Sequence, residues 1–157
     1  MRTFILALAA ACVAPMALAT EISVNYSPDF QEKLTEDYGV REGERLTSDV
    51  RSDLEHAFNK AGVDPASVSV TIVDARPNRP TMQQASDKPG LDMIRSKSIG
   101  GMSLIGTAFD AQGNVIGEVE YDWYESDIRN VIAAGVWSDA KRASRGFARR
   151  LAEDCPN

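Results

Sequence analysis

Between Glu21 and Tyr26 apolar and polar residues alternate, with Ile22, Val24 and Tyr26 set against Glu21, Ser23 and Asn25. That period of two predicts a half-buried strand, stopped by Ser27-Pro28-Asp29. From Phe30 to Gly43 the polarity is mixed and two glycines intervene, which reads as a short helical turn followed by a loop. The period then changes. Leu46, Val50, Leu54, Ala57, Phe58 and Ala61 recur at helical spacing, and Gly62 stands where a left-handed cap would end the helix, so a helix is predicted from about Glu44 to Ala61. Val68, Val70 and Ile72 restore the alternation and predict a second strand ending near Ala75.

Periodicity is lost between Arg76 and Ser98, where Pro77, Pro80, Pro89 and Gly90 predict a connection that is long for a small domain. Met102 to Phe109 and Val115 to Tyr124 then form a hairpin across Asp110-Ala111-Gln112-Gly113, with Asp110 facing Asn114. An unbroken ladder from that pair would place Ser103, Ile105, Thr107 and Phe109 on the core face with Gly117, Val119 and Tyr121. Leu104 and Gly106 would lie on the wet face with Glu118 and Glu120. Ser138 is expected to cap a closing helix, whose apolar stripe is Ala140, Ser144, Phe147, Ala148 and Leu151. The predicted fold is α+β: a small, mostly antiparallel sheet in the order β-α-β-loop-β-β-α, with two helices packed on one face.

The first nineteen residues follow a different grammar. Arg2 precedes an apolar run to Met16, and Ala17-Leu18-Ala19 has the small-x-small form of a signal-peptidase site, so residues 1–19 read as a secretory signal and 20–157 as a single domain. The destination is then periplasmic or extracellular. A second reading makes Cys12 a lipidated residue, although Ala9 stands where a Leu would be expected. The run is too short, and Pro15 too disruptive, for a membrane span. After cleavage Cys155 is the one remaining cysteine, so no intramolecular disulfide can form and a tucked-away thiol is expected.

Hydrophobic residues at 43% and charged residues at 25% place the chain in the ordinary globular range. Seventeen basic residues against 23 acidic ones give a net charge of −6, which disfavours nucleic acid as a partner. Ser138-x-x-Lys141 matches the start of a penicillin-binding catalytic motif, but no Ser-Asp-Asn or Lys-Thr-Gly accompanies it. His56 is the single histidine and sits near the border of a helix stripe, reading as a surface or structural residue; zinc sites of the usual type are excluded, and no cofactor or metal is expected. Glu118, Glu120 and Asp122 share one side of a strand in a straight row that cannot converge on a hard cation, and read as a charged solvent face.

Candidate binding chemistry concentrates in the long connection. Asp74, Arg76, Asn78, Arg79 and Thr81 at one end face Lys97, Ser98, Gly100 and Gly101 at the other. Prolines hold the first segment extended while it presents its arginines, and the glycine pair lets backbone N–H groups line an anion-binding concavity. The same residues suit a crossover that needs only ordered, exposed turns. Lys141, Arg142, Arg145 and Arg149 give the last helix a basic face, suited to an acidic partner or to simple solvation.

The export signal, the strand from Ile22 to Tyr26, the helix closing at Gly62, the strand from Val68 to Asp74, the Asp110-x-x-Gly113 hairpin and the terminal helix together resemble several small secreted or periplasmic bacterial α+β families without an assigned function. More distantly the order is similar to the small α/β domain of lipoproteins that activate cell-wall synthases. The resemblance implies a compartment and a fold class and carries over no catalytic residue. The reading is a non-enzymatic exported envelope protein that binds a protein, or a cell-wall or lipid component, through residues 76–101. Two alternatives stand beside it: a small periplasmic hydrolase using carboxylates near the loop and hairpin, and a structural or stress-related exported protein with no single site.

Overall fold

The computed structural model describes residues 20–131 and 135–156. The leader read at 1–19, with Cys12, lies outside them. Strand β1 (Glu21–Tyr26) runs parallel to β2 (Ser67–Arg76), and β2, β3 (Gly101–Phe109) and β4 (Val115–Tyr124) follow antiparallel, giving a sheet in the order β1-β2-β3-β4. The α+β class, the mostly antiparallel sheet and the placement of the two long helices agree with the sequence reading. Helices α2 (Val40–Ala61) and α4 (Ser138–Asp154) pack against each other and over one face of the sheet, while two short helices, α1 (Pro28–Lys33) and α3 (Met82–Asp87), lie between elements. Val50, Leu54, Val68, Val70, Ile72, Leu104, Phe147 and Leu151 form the water-free centre between helices and sheet. Each such side chain contributes about 1.5–3 kcal/mol by leaving water. The second face of the sheet is open and polar, carrying Ser23, Asn25, Ser69, Glu118, Glu120 and Asp122. Among the described residues no helix is long and apolar enough to cross a membrane.

Three expectations are corrected. Residues 30–43 are helical almost throughout: Ser27 caps α1 by accepting from the Phe30 amide, a π-helical turn spans Leu34–Tyr38, and α2 begins at Val40 rather than Glu44. Gly43, which looks like a breaker, sits inside α2 because a Cβ there would lie 2.7 Å from Leu34 Cδ1 and 3.0 Å from Tyr26 Oη. Its role is close packing.

The faces of β3 are the reverse of those expected. The turn itself is as read, with the Asp110 amide donating to the Asn114 carbonyl at 3.0 Å and the Gly113 amide to the Asp110 carbonyl at 3.1 Å. Phe109 pairs with Val115, but Ala108 pairs with Gly117, so Ile116 is an extra residue in a bulge. That slip of one residue turns Leu104, Gly106 and Ala108 inward and leaves Ile105 40% exposed, while Glu118 and Glu120 remain on the wet face.

Ser138 does not cap α4 with its own side chain; its Oγ accepts from the Gly135 amide at 2.7 Å. The cap comes from far away in sequence. Asn78 Oδ1 accepts from the Asp139 amide at 2.8 Å, satisfying one of the donors that a helix start leaves free.

Candidate functional site

The connection after β2 is ordered from both ends. A bulge between Ile72 and Asp74 shifts the alternation of β2, so Ala75 takes the buried position and Asp74 and Arg76 turn outward together. Asp74 is held there by Lys33 Nζ at 2.8 Å and by the Tyr124 hydroxyl, which donates to it at 3.4 Å. Arg76 lies 4.9 Å above the Tyr124 ring and 3.9 Å from the Asp74 carboxylate. Burial, followed by the nearby Asp74 charge, raises the Tyr124 hydroxyl well above its ordinary pKa, so it stays a donor to Asp74.

Asn78 is fully buried and ties the two ends of the connection to α4. Its amide nitrogen donates to the Asp139 carboxylate and to the Ser98 carbonyl at 3.2 Å, while its own backbone N–H reaches the Val136 carbonyl at 2.7 Å. The Gly100 amide donates to the same Asp139 oxygen at 3.1 Å. Of the glycine pair expected to offer its amides to an external anion, Gly100 gives its own to Asp139 of the chain itself. Gly100 is required by this approach, because a Cβ would stand 2.8 Å from the Arg76 carbonyl and 2.9 Å from the Asn78 side chain.

Thr81 is equally buried and forms a reciprocal capping box with Gln84 at the start of α3. Helix α3 is pinned to the π-helical turn, since Gln84 donates to Asp37 at 2.8 Å and Gln83 to the Glu36 carbonyl at 3.2 Å. At the tip, Asp92 accepts from the amides of Ile94 and Arg95, both at 2.7 Å, and these bonds, Arg95 first, lower its carboxyl below the usual range. The long connection is therefore a built structure.

Beneath it lies a cavity of about 310 Å³. Tyr38, Pro77, Pro80, Leu91 and Ile99 supply an apolar lining, and Arg76, Arg79 and Lys97 bring three cations to it. No carboxylate is among the lining residues described. Arg79 donates to the Ile94 carbonyl, which fixes its guanidinium across the mouth. Tyr38 packs edge-on to Trp137 at 5.7 Å, and burial pushes its hydroxyl up to about 12. On the same connection Ile94 is 78% and Met82 69% exposed.

Of the nine residues proposed from sequence for this connection, Arg76, Arg79, Lys97 and Ser98 line the cavity; Asp74, Asn78, Thr81, Gly100 and Gly101 instead position the segments around it. Sequence reasoning missed Tyr38, because its segment reads as loop; Leu91 and Ile99 fall inside the segment 76–101 read as binding, but were not singled out as site residues because they belong to no periodic stripe.

The basic face of α4 is divided. Lys141 pairs with Asp49 at 3.1 Å, whereas Arg142, Arg145 and Arg149 line a separate cavity of about 520 Å³ with Tyr121, Trp123 and Gly146. His56 is exposed on α2, in a groove shared with Asp53, Arg145 and Arg149. Asp53 accepts from Ser144 Oγ at 2.7 Å, and burial raises its carboxyl above the usual range.

No family model matches the chain. No curated protein matches it either. A solved structure of a minor lipoprotein from Acinetobacter baumannii is similar over 88% of this chain and 89% of its own, at 13% identity and a TM-score of 0.29, a level that carries neither fold nor function across.

Proposed function

We propose that the protein is an exported binding module of the cell envelope, and that residues 76–101 receive an anionic group carried on a short apolar body. The observation that carries this reading is the pairing of three cations, Arg76, Arg79 and Lys97, with an apolar lining in a cavity of about 310 Å³. Ligand sites of small molecules start at about 300 Å³ and combine an apolar lining with a few convergent polar groups. A carboxylate or phosphate at the mouth meets Arg76 and Lys97, both exposed, while its apolar body lies against Leu91, Ile99 and Pro80. Such a group can belong to a wall or lipid component or to a partner protein. Export rests on the leader pattern of residues 1–19.

The test is an NMR titration of amide shifts with hexanoate and hexyl phosphate, with hexanol as the neutral control. Shifts confined to Tyr38 and residues 76–100 with the two anions, and lost in Arg76→Gln/Lys97→Ala, support the reading. Equal shifts with hexanol, or none with either anion, overturn it.

A further inference from the structure

Strand β4 is an edge of the sheet, and its outward backbone groups can be assigned. In an antiparallel ladder alternate residues turn their N–H and C=O toward the same neighbour. The Glu125 amide donates inward to the Gly100 carbonyl at 2.9 Å, and the Glu118 amide is instead taken by Asp154 Oδ2 of α4 at 2.8 Å. The even positions of β4 therefore face outward. Asp154 blocks the edge at Glu118; at Glu120 and Asp122 no side chain of the described residues takes the N–H.

The two sides of this edge differ in charge, although on the helix side Arg142 also lies 3.5 Å from Glu125 and Arg149 3.8 Å from Glu153. On the open face of the sheet Glu118, Glu120 and Asp122 are all exposed. On the helix side α4 overhangs the strand with Arg142, 5.5 Å from the centre of the Trp123 ring, and Arg150, 4.8 Å from that of Tyr121. Arg145 and Arg149 complete that side. Two cavities, of about 390 and 520 Å³, run along the edge between strand and helix, the first lined by Glu118, Val119, Glu120, Arg150, Glu153 and Asp154 and the second holding Tyr121, Trp123 and three arginines. The space is kept by Gly146, where a Cβ would stand 2.4 Å from Tyr121 Oη.

We infer that β4 is a docking edge for an extended peptide segment of a partner protein in which acidic and basic residues alternate. An added strand would bond its backbone to Glu120 and Asp122 and send alternate side chains to opposite faces. Those on the helix side meet Arg142, Arg145 and Arg149 and are acidic; those on the open face meet Glu118, Glu120 and Asp122 and are basic. A second copy of this chain does not fit, because pairing β4 with itself sets the acidic row against its own image and the arginines likewise. The inference is independent of the cavity at residues 76–101.

The probe is a fluorescein-labelled octapeptide of alternating Lys and Glu, at nanomolar concentration, read by anisotropy. Its control is a peptide of identical composition with the four Lys and four Glu in blocks. The alternating peptide binds at least tenfold more tightly than the block peptide. N-methylation of one alternate set of its amides abolishes binding while methylation of the other set does not, since only one set faces β4. Glu120→Pro removes an outward N–H without breaking the β3 ladder, and weakens binding at least tenfold at an unchanged unfolding midpoint. Should that variant misfold, Arg145→Ala/Arg149→Ala, both exposed, weakens binding at least fivefold. Equal affinity for the two peptides, equal effects of the two methylation patterns, or a β4-dependent self-dimer in sedimentation would each overturn the inference.

Discussion

Replacing Asn78 with Ala tests whether one buried amide joins the long connection to the closing helix. The side chain is fully buried and makes three bonds: it accepts from the Asp139 amide and donates to the Asp139 carboxylate and the Ser98 carbonyl. Loss of a helix-capping acceptor costs about 1 kcal/mol. Loss of the bond to a buried carboxylate, together with an orphaned Ser98 carbonyl, costs about 2 kcal/mol more. The Asp139 oxygen keeps the Gly100 amide, and both backbone bonds of residue 78 survive, so the total stays near 3 kcal/mol as the sum of those two estimates. In a domain of this size that lowers the midpoint of thermal unfolding by roughly 10 °C. Urea unfolding followed by both far-UV circular dichroism and tryptophan fluorescence measures it, with Trp137 adjoining the capped turn. Asn78→Asp sets a second carboxylate against Asp139 and is destabilised further at pH 7, a difference that narrows as acid protonates it. A loss in Asn78→Ala below about 1 kcal/mol would refute the reasoning, because it would mean that water serves these groups as well as Asn78 does.

Gly106 lies under Phe147, where a Cβ would stand 2.4 Å from the ring; Gly106→Ala loses about 1–3 kcal/mol by overpacking, read as a lower urea midpoint at unchanged slope. Asp110 accepts from the Asn114 side chain and amide, which lower its carboxyl below the usual range. Its contribution is complete above the unfolded carboxylate pKa, about 4, and is lost as pH falls through the lower folded value, so the stability gap between wild type and Asp110→Ala narrows on acidification. A gap that widens in acid would contradict the assigned bonds. Cys155 is buried beside Gly117, and its thiol is raised by burial and then by the Asp154 charge; it reacts slowly with a disulfide reagent at pH 8 in the native protein and fully in urea.

Wherever apolar residues recur with a single period, the elements were legible: β1, the body of α2, most of β2 and the stripe of α4 follow from local pattern alone. What escaped depended on contacts and register that local pattern does not show. Gly43 reads as a breaker until Leu34 and Tyr26 are seen against it. The inversion of β3 hinges on Ile116, an extra residue whose alternation looks regular on either side of the bulge. At the candidate site the cations Arg76, Arg79 and Lys97 could be named from sequence, because charges in a proline-rich connection have no stripe to belong to. The partner of the Gly100 amide could not, since Asp139 comes from the far end of the chain.

The bulge in β2 decides which face of the sheet Arg76, the first cation of the candidate cavity, takes. Because Val73 is one residue more than the ladder needs, Ala75 lies inside and Asp74 and Arg76 outside. Strict alternation of the same ten residues would instead drive a carboxylate and a guanidinium toward the core side of the sheet and leave the alanine in water. Deleting Val73 would seat Asp74 directly after Ile72 and keep Ala75 inside, so the outward arginine depends on the register of β2 and not on the length of the strand. A strand that keeps the Val68-Val70-Ile72 alternation and still turns Asp74 and Arg76 outward before Pro77 has to carry one unpaired residue.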